Sequence, residues 1–128
     1  MEHKHLIVDL TNCQNTAVLE NLRDLQASMA VVARACTLHV VGEAGHQFLP
    51  VGASNVLLLS ESHFSVHTWA DERQAHCDIF CCNPGFDAEA AVELLCLAFE
   101  TRQAEWTVRA RLRVTADKLD HETRRVSD

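Results

Sequence analysis

Glu61-Ser62-His63-Phe64-Ser65-Val66-His67-Thr68-Trp69 decides how the chain folds, because from residue 63 onward it alternates like a strand with two unlike faces. Phe64, Val66 and Thr68 form one set, and His63, Ser65, His67 and Trp69 the other. Successive side chains of a strand point to opposite sides, so the first set packs into a core while the second stays outside it. Just upstream, Val56 to Leu59 reads as a fully apolar strand running into Glu61-Ser62. Downstream, Cys77 to Cys82 is a further apolar strand closed by the turn Asn83-Pro84-Gly85.

Outward from this centre, strand and helix signals alternate with no linker or repeat. Leu6 to Leu10 is a short apolar strand, broken by Thr11-Asn12. Between Thr16 and Ala35, Val18, Leu22, Leu25, Met29, Val32 and Ala33 recur at helical spacing and predict a first helix. Thr37 to Val41 reads as strand, with Gly42 to Gly45 as its turn. Asp87 caps a second helix reaching about Arg102, with Ala91, Leu94, Leu95, Ala98 and Phe99 inward. Trp106 to Val114 is the last strand, with Arg109, Arg111 and Arg113 on its outer face, and residues 115–128 form a polar tail. The expected fold is an α/β (α+β) two-layer sandwich, a mainly antiparallel sheet with two helices packed on one face. An uncovered sheet face on so small a domain favours pairing with a second copy.

With 128 residues, 48% of them hydrophobic, the chain sustains one core and predicts a single domain over residues 1–114. No apolar run approaches the roughly 20 residues of a membrane span, and Met1 to His5 leads straight into a strand, so a cytoplasmic protein without a membrane partner is expected. A net charge of -7, with Lys and Arg clustered only near the C-terminus, argues against nucleic acid. Cys13, Cys36, Cys77, Cys81, Cys82 and Cys96 contain no Cys-x-x-Cys pair, which favours free thiols and no metal, although His63 and His67 share a strand face.

Residues 61–69 also read as a self-cleavage site. Ser62-His63, a hydroxyl residue at Ser65, His67-Thr68 and the aromatic Trp69 resemble the maturation site of the small prokaryotic S-adenosylmethionine decarboxylases. A second block, Asp78-Ile79-Phe80-Cys81-Cys82, is similar to that family's Asp-Val-Phe-Thr-Cys, with Cys81 standing in place of threonine. The resemblance runs from about His5 to Arg113. It implies cleavage between Glu61 and Ser62 into chains 1–61 and 62–128, with Ser62 becoming a pyruvoyl cofactor. It further implies that Ser54 and His67 assist the cleavage, that Cys82 is the proton donor in catalysis, and that the enzyme is a homodimer with sites near the interface.

The residue types suit that chemistry. The Ser62 hydroxyl attacks the carbonyl of residue 61 and turns an amide into an ester, which eliminates and hydrolyses to pyruvoyl and ammonia; strain and hydrogen-bond donors at the bond promote the attack. His67 suits proton abstraction at neutral pH. The pyruvoyl ketone then forms a Schiff base with a substrate amine and takes up the electrons left as carbon dioxide departs. Each residue also has a plainer reading: a Ser after Glu at a strand end as a solvated turn, a strand His as surface, a buried Cys as a small hydrophobe.

The resemblance implies a cationic small-molecule substrate, S-adenosylmethionine, and a place in polyamine (spermidine) biosynthesis. Phe48 falls on the family's adenine-stacking aromatic, with a core phenylalanine as the alternative, and Asp71 falls where the family has a glutamate near the ribose hydroxyls. Ala70 to His76 lacks the proline and glycine usual there, which leaves pyruvoyl-dependent arginine or ornithine decarboxylation as the second reading. An uncleaved regulatory paralogue is a third, opposed by intact Glu61, Ser62 and His67.

Overall fold

The computed structural model describes residues 2–112. The elements run β1 (Glu2–Thr11), α1 (Thr16–Glu20), α2 (Leu22–Ala35), β2 (Val40–Gln47), β3 (Ala53–Leu59), β4 (Ser62–Trp69), a short 3-10 turn (Ala70–Glu72), β5 (Gln74–Cys81), α3 (Ala88–Phe99) and β6 (Gln103–Leu112). The strands form one sheet in the order β2-β3-β4-β5-β1-β6, antiparallel at every pairing. All three helices lie on one side of it. The two-layer sandwich expected from the alternation of residues 63–69 is the one found: Phe64, Val66 and Thr68 are buried beneath the helices, while His67 and Trp69 are exposed on the open face.

The core joins Leu6, Val8 and Leu10 of β1, Leu57 and Leu59 of β3, and Ile79 of β5 to the inward stripes Leu25, Met29 and Val32 of α2 and Ala91, Leu95 and Phe99 of α3. Each of these side chains larger than alanine contributes roughly 1.5–3 kcal/mol when removed from water. The open face of the sheet leaves Ile7, Val56, Leu58 and Trp69 exposed to solvent.

Several boundaries differ from the sequence expectation. The predicted helix over 16–35 is two helices, which makes three among the described residues, broken at Asn21 in an extended conformation. The cause lies 25 residues away. Gln47 accepts from the Leu22 N–H at 2.7 Å and donates to the carbonyls of Glu20 and Gly52, both at 2.8 Å. Its carboxamide replaces the helical ladder at the break and ties the loop bearing Phe48 to the helix ends. Strand and turn are also displaced in the next hairpin: β2 occupies 40–47, through Gly42 and Gly45, and the turn lies at 48–52, with a cis Leu49-Pro50 bond and Gly52 at a φ of +112°. The remaining strands outgrow their apolar cores or shift along the sequence, because main-chain ladders continue through polar residues. The second helix stops at Phe99, not Arg102, since Glu100 turns left-handed (φ 54°) and Thr101 N–H closes back on the Cys96 carbonyl. Arg113, Val114 and the tail 115–128 lie outside the described residues.

Gly45 serves close approach, not the turn expected of it. A Cβ there would sit 2.6 Å from Asn55 Oδ1 and 2.8 Å from Leu22 Cδ1. Asn55 is fully buried and hydrogen-bonded to Gln26 and Glu43, so it has no room to yield. Gly45→Ala is therefore expected to cost about 1–3 kcal/mol and to lower Tm by roughly 5–15 °C, which thermal unfolding followed by circular dichroism would measure.

Candidate active site

Ser62 begins β4 at the corner of the β3–β4 hairpin. Its φ of +154° is a region that residues with a Cβ rarely occupy, at a cost on the order of 1–3 kcal/mol. Cys81 lies opposite Ser62 in the ladder, and the next N–H, that of Cys82, donates to the Glu61 carbonyl at 3.4 Å. The peptide between Glu61 and Ser62 thus carries backbone strain on one side and a hydrogen-bond donor on its carbonyl. Cys82 is half-buried, whereas Cys81 is buried in the core with its thiol pKa raised by desolvation.

The Glu61 side chain is only 10% exposed and accepts three hydrogen bonds. The His39 N–H reaches Oε1 at 3.0 Å, the His39 ring donates from Nδ1 to Oε2 at 2.5 Å, and Ser60 Oγ donates to Oε1 at 3.2 Å. Burial pushes the carboxyl's pKa up, but the His39 hydrogen bonds outweigh it and hold the group below the usual glutamate range.

A second group gathers at the opposite end of β4. Ser54 Oγ and His67 Nδ1 are hydrogen-bonded at 2.7 Å across the β3–β4 ladder. Both line a cavity of about 510 Å³ with Phe48, Trp69, Asp71 and Glu72. Phe48 is 45% exposed there, its ring edge-on to His46 at 4.8 Å, so it is not a core phenylalanine. Thr68, between the two outward residues, points the other way; its hydroxyl donates to the Leu19 carbonyl at 2.7 Å and accepts from the Ala53 N–H at 2.9 Å. That anchor in α1 and β3 fixes the outward aim of His67 and Trp69.

The sequence-predicted residues therefore fall into two groups that one protomer does not join. Glu61, Ser62 and Cys82 sit at one end of β4; Ser54, His67, Phe48 and Asp71 sit at the other. Five residue steps of extended strand separate Ser62 from His67, about 16 Å at 3.3 Å per step.

Between the groups lies a network that motif reading missed. Asp78 Oδ2 accepts from His5 Nε2 at 2.8 Å and from His63 Nε2 at 2.9 Å, and its other oxygen accepts from Ser65 Oγ. Desolvation raises the carboxyl's pKa, yet these donors hold it below the ordinary aspartate range. His63 thus pairs with His5 and Asp78, and not with His67. Their shared outward parity on adjacent strands is the sequence signal that marks them.

The fold is that of a known decarboxylase structure. The solved adenosylmethionine decarboxylase of Aquifex aeolicus superposes with a TM-score of 0.78, covering 89% of this chain and 93% of its own, at 24% identity. The sequence profile of S-adenosylmethionine decarboxylase matches residues 4–112. Two curated relatives, each named S-adenosylmethionine decarboxylase proenzyme, agree with it. That of Clostridium botulinum strain Langeland is 38% identical over 71% of this chain and 78% of its own length. That of Thermodesulfovibrio yellowstonii is 31% identical over 77% and 72%. The chain belongs to the S-adenosylmethionine decarboxylase family. Members are made as proenzymes and depend on a pyruvoyl group formed from a serine by self-cleavage. Among the described residues no helix is long and apolar enough to cross a membrane.

Proposed function

We propose that this chain is an S-adenosylmethionine decarboxylase proenzyme that cuts itself between Glu61 and Ser62 and works as a homodimer, supplying aminopropyl groups for polyamine synthesis. Ser62 itself carries this reading: a serine at φ +154°, next to a carbonyl already held by the Cys82 N–H, is the hydroxyl residue placed to open its own peptide bond. A pyruvoyl group at the head of β4 would supply a carbonyl that draws electron density from the substrate's α-carbon as carbon dioxide leaves. Cys82, beside that position, returns a proton to the α-carbon.

His67, hydrogen-bonded to Ser54, lies about 16 Å from its own Ser62, beyond the reach of any proton transfer. A two-fold partner laid against the open face resolves this, because it brings Ser54 and His67 of one protomer to Ser62 and Cys82 of its partner. The exposed Ile7, Val56, Leu58 and Trp69 give that face the apolar surface such a contact buries. Phe48 and Trp69 then offer aromatic walls for adenine, and Asp71 and Glu72 offer carboxylates for the ribose hydroxyls, at the rim of the 510 Å³ cavity.

The test is an intact mass under denaturing conditions after incubation with cyanoborohydride and equal amounts of S-adenosylmethionine, arginine and ornithine. Fragments 1–61 and 62–128 are expected, the second carrying an S-adenosylmethionine-derived adduct. An uncut chain would overturn self-processing. An arginine or ornithine adduct would keep the chemistry and replace the substrate.

A further inference from the structure

The hairpin corner that presents the scissile bond is held from outside the hairpin, by His39. This residue precedes β2 and lies 22 positions before Glu61, and it makes three contacts to the corner. Its carbonyl accepts from the Ser60 N–H at 2.9 Å, its own N–H donates to Glu61 Oε1 at 3.0 Å, and its ring donates from Nδ1 to Glu61 Oε2 at 2.5 Å. The ring itself is 67% exposed while the carboxylate it holds is nearly buried. So exposed an imidazole adds little to the core. Among the described residues its hydrogen bonds go to the two residues before Ser62.

We infer that His39 is a positioning residue for self-cleavage: by clamping the Glu61 side chain it fixes the Glu61 carbonyl toward the Cys82 N–H and holds the Glu61–Ser62 peptide in its strained conformation. The inference rests on cleavage at Glu61–Ser62. In that step the Ser62 Oγ–C bond forms at the Glu61 carbonyl, the C–N bond breaks, and the hydroxyl proton ends on the Ser62 nitrogen, giving an ester and a free amine. Negative charge collects on the Glu61 oxygen in between, and among the described residues the main-chain donor at that oxygen is the Cys82 N–H at 3.4 Å. A donor this long gains most if the attacked carbonyl is held still while charge builds. Glu61 has no other side-chain partner outside its own loop among the described residues. Without the His39 ring the Glu61 carboxylate keeps only the His39 N–H and the Ser60 hydroxyl, both on Oε1, and it holds the corner less firmly against relaxation of the Ser62 φ and displacement of the carbonyl.

The full-length chain tests this with two substitutions. His39→Ala removes the ring donor. His39→Asn restores one, since its Nδ2 is reached through the same number of bonds as the imidazole Nδ1. Fragment appearance is followed by intact mass, Tm by thermal unfolding, and decarboxylation per cleaved chain by carbon dioxide release divided by the amount of the 62–128 fragment. Cleavage in His39→Ala is expected to slow by about ten- to a hundredfold, with His39→Asn within a few-fold of the natural chain. Turnover per cleaved chain is expected to stay the same in all three. Natural cleavage rates in His39→Ala would overturn the inference, as would slowing that His39→Asn fails to rescue and that tracks a common fall in Tm. If the unsubstituted chain yields no cut after Glu61, what fails is the reading beneath it.

Discussion

Ser62→Ala is expected to give a single full-length, folded, dimeric chain whose decarboxylation falls to background, a loss on the order of a thousandfold or more. Alanine keeps the Cβ, so the φ of +154° and the His39–Glu61 clamp remain while the hydroxyl on the nitrogen side of the Glu61–Ser62 bond is gone. Unfolding should shift by less than about 1 kcal/mol, because Ser62 is half-exposed and its side chain contributes no packing to the core. Intact mass reads the cut and radiolabelled carbon dioxide release reads the activity. The same two fragments from Ser62→Ala would move the cleavage site to another residue.

How much of the fold is visible in the sequence depends on whether the signal is local. The alternation of Phe64, Val66 and Thr68 against His63, Ser65 and His67 marks the sheet's two faces, since periodicity is a property of neighbouring residues. The helical stripes of α2 and α3 are legible for the same reason. The break at Asn21 is not, because the Gln47 carboxamide that supports it arrives from another strand. Gly42 and Gly45 read as a turn because glycine looks the same whether it supplies a positive φ or, as at Gly45, room for Asn55 and Leu22.

The site divides in the same way. Ser62, His67, Ser54 and Cys82 stand out through motif likeness. An extended strand carries Ser62 and His67, five residues apart, to opposite ends of β4, and nothing local in the motif says which residues cross between protomers. His39 is invisible in the sequence because nothing near it marks a partner 22 positions on. A clamp between a loop and a hairpin corner exists only once β2 and β3 pair.

Separation of the two groups leads to a second expected result, with an effect nearly as large. Ser62→Ala and His67→Ala chains, each inactive alone, should recover about a quarter of the natural activity when co-expressed in equal amounts. In a two-fold dimer each site would take Ser62 and Cys82 from one protomer and Ser54 and His67 from its partner. Random pairing makes half of the dimers hybrids. In a hybrid, one site combines both substitutions and is dead, while the other joins the intact Ser62 of one chain to the intact His67 of the other. One good site in half the dimers gives the quarter, and the His67→Ala chain should be cut in the hybrids alone. If each protomer held a complete site, no pairing would bring an intact Ser62 and an intact His67 together, and the mixture would stay at the mean of its parents. Mass spectrometry of the fragments and carbon dioxide release on the same sample distinguish the two arrangements, and recovery no greater than that mean would return the site to a single chain.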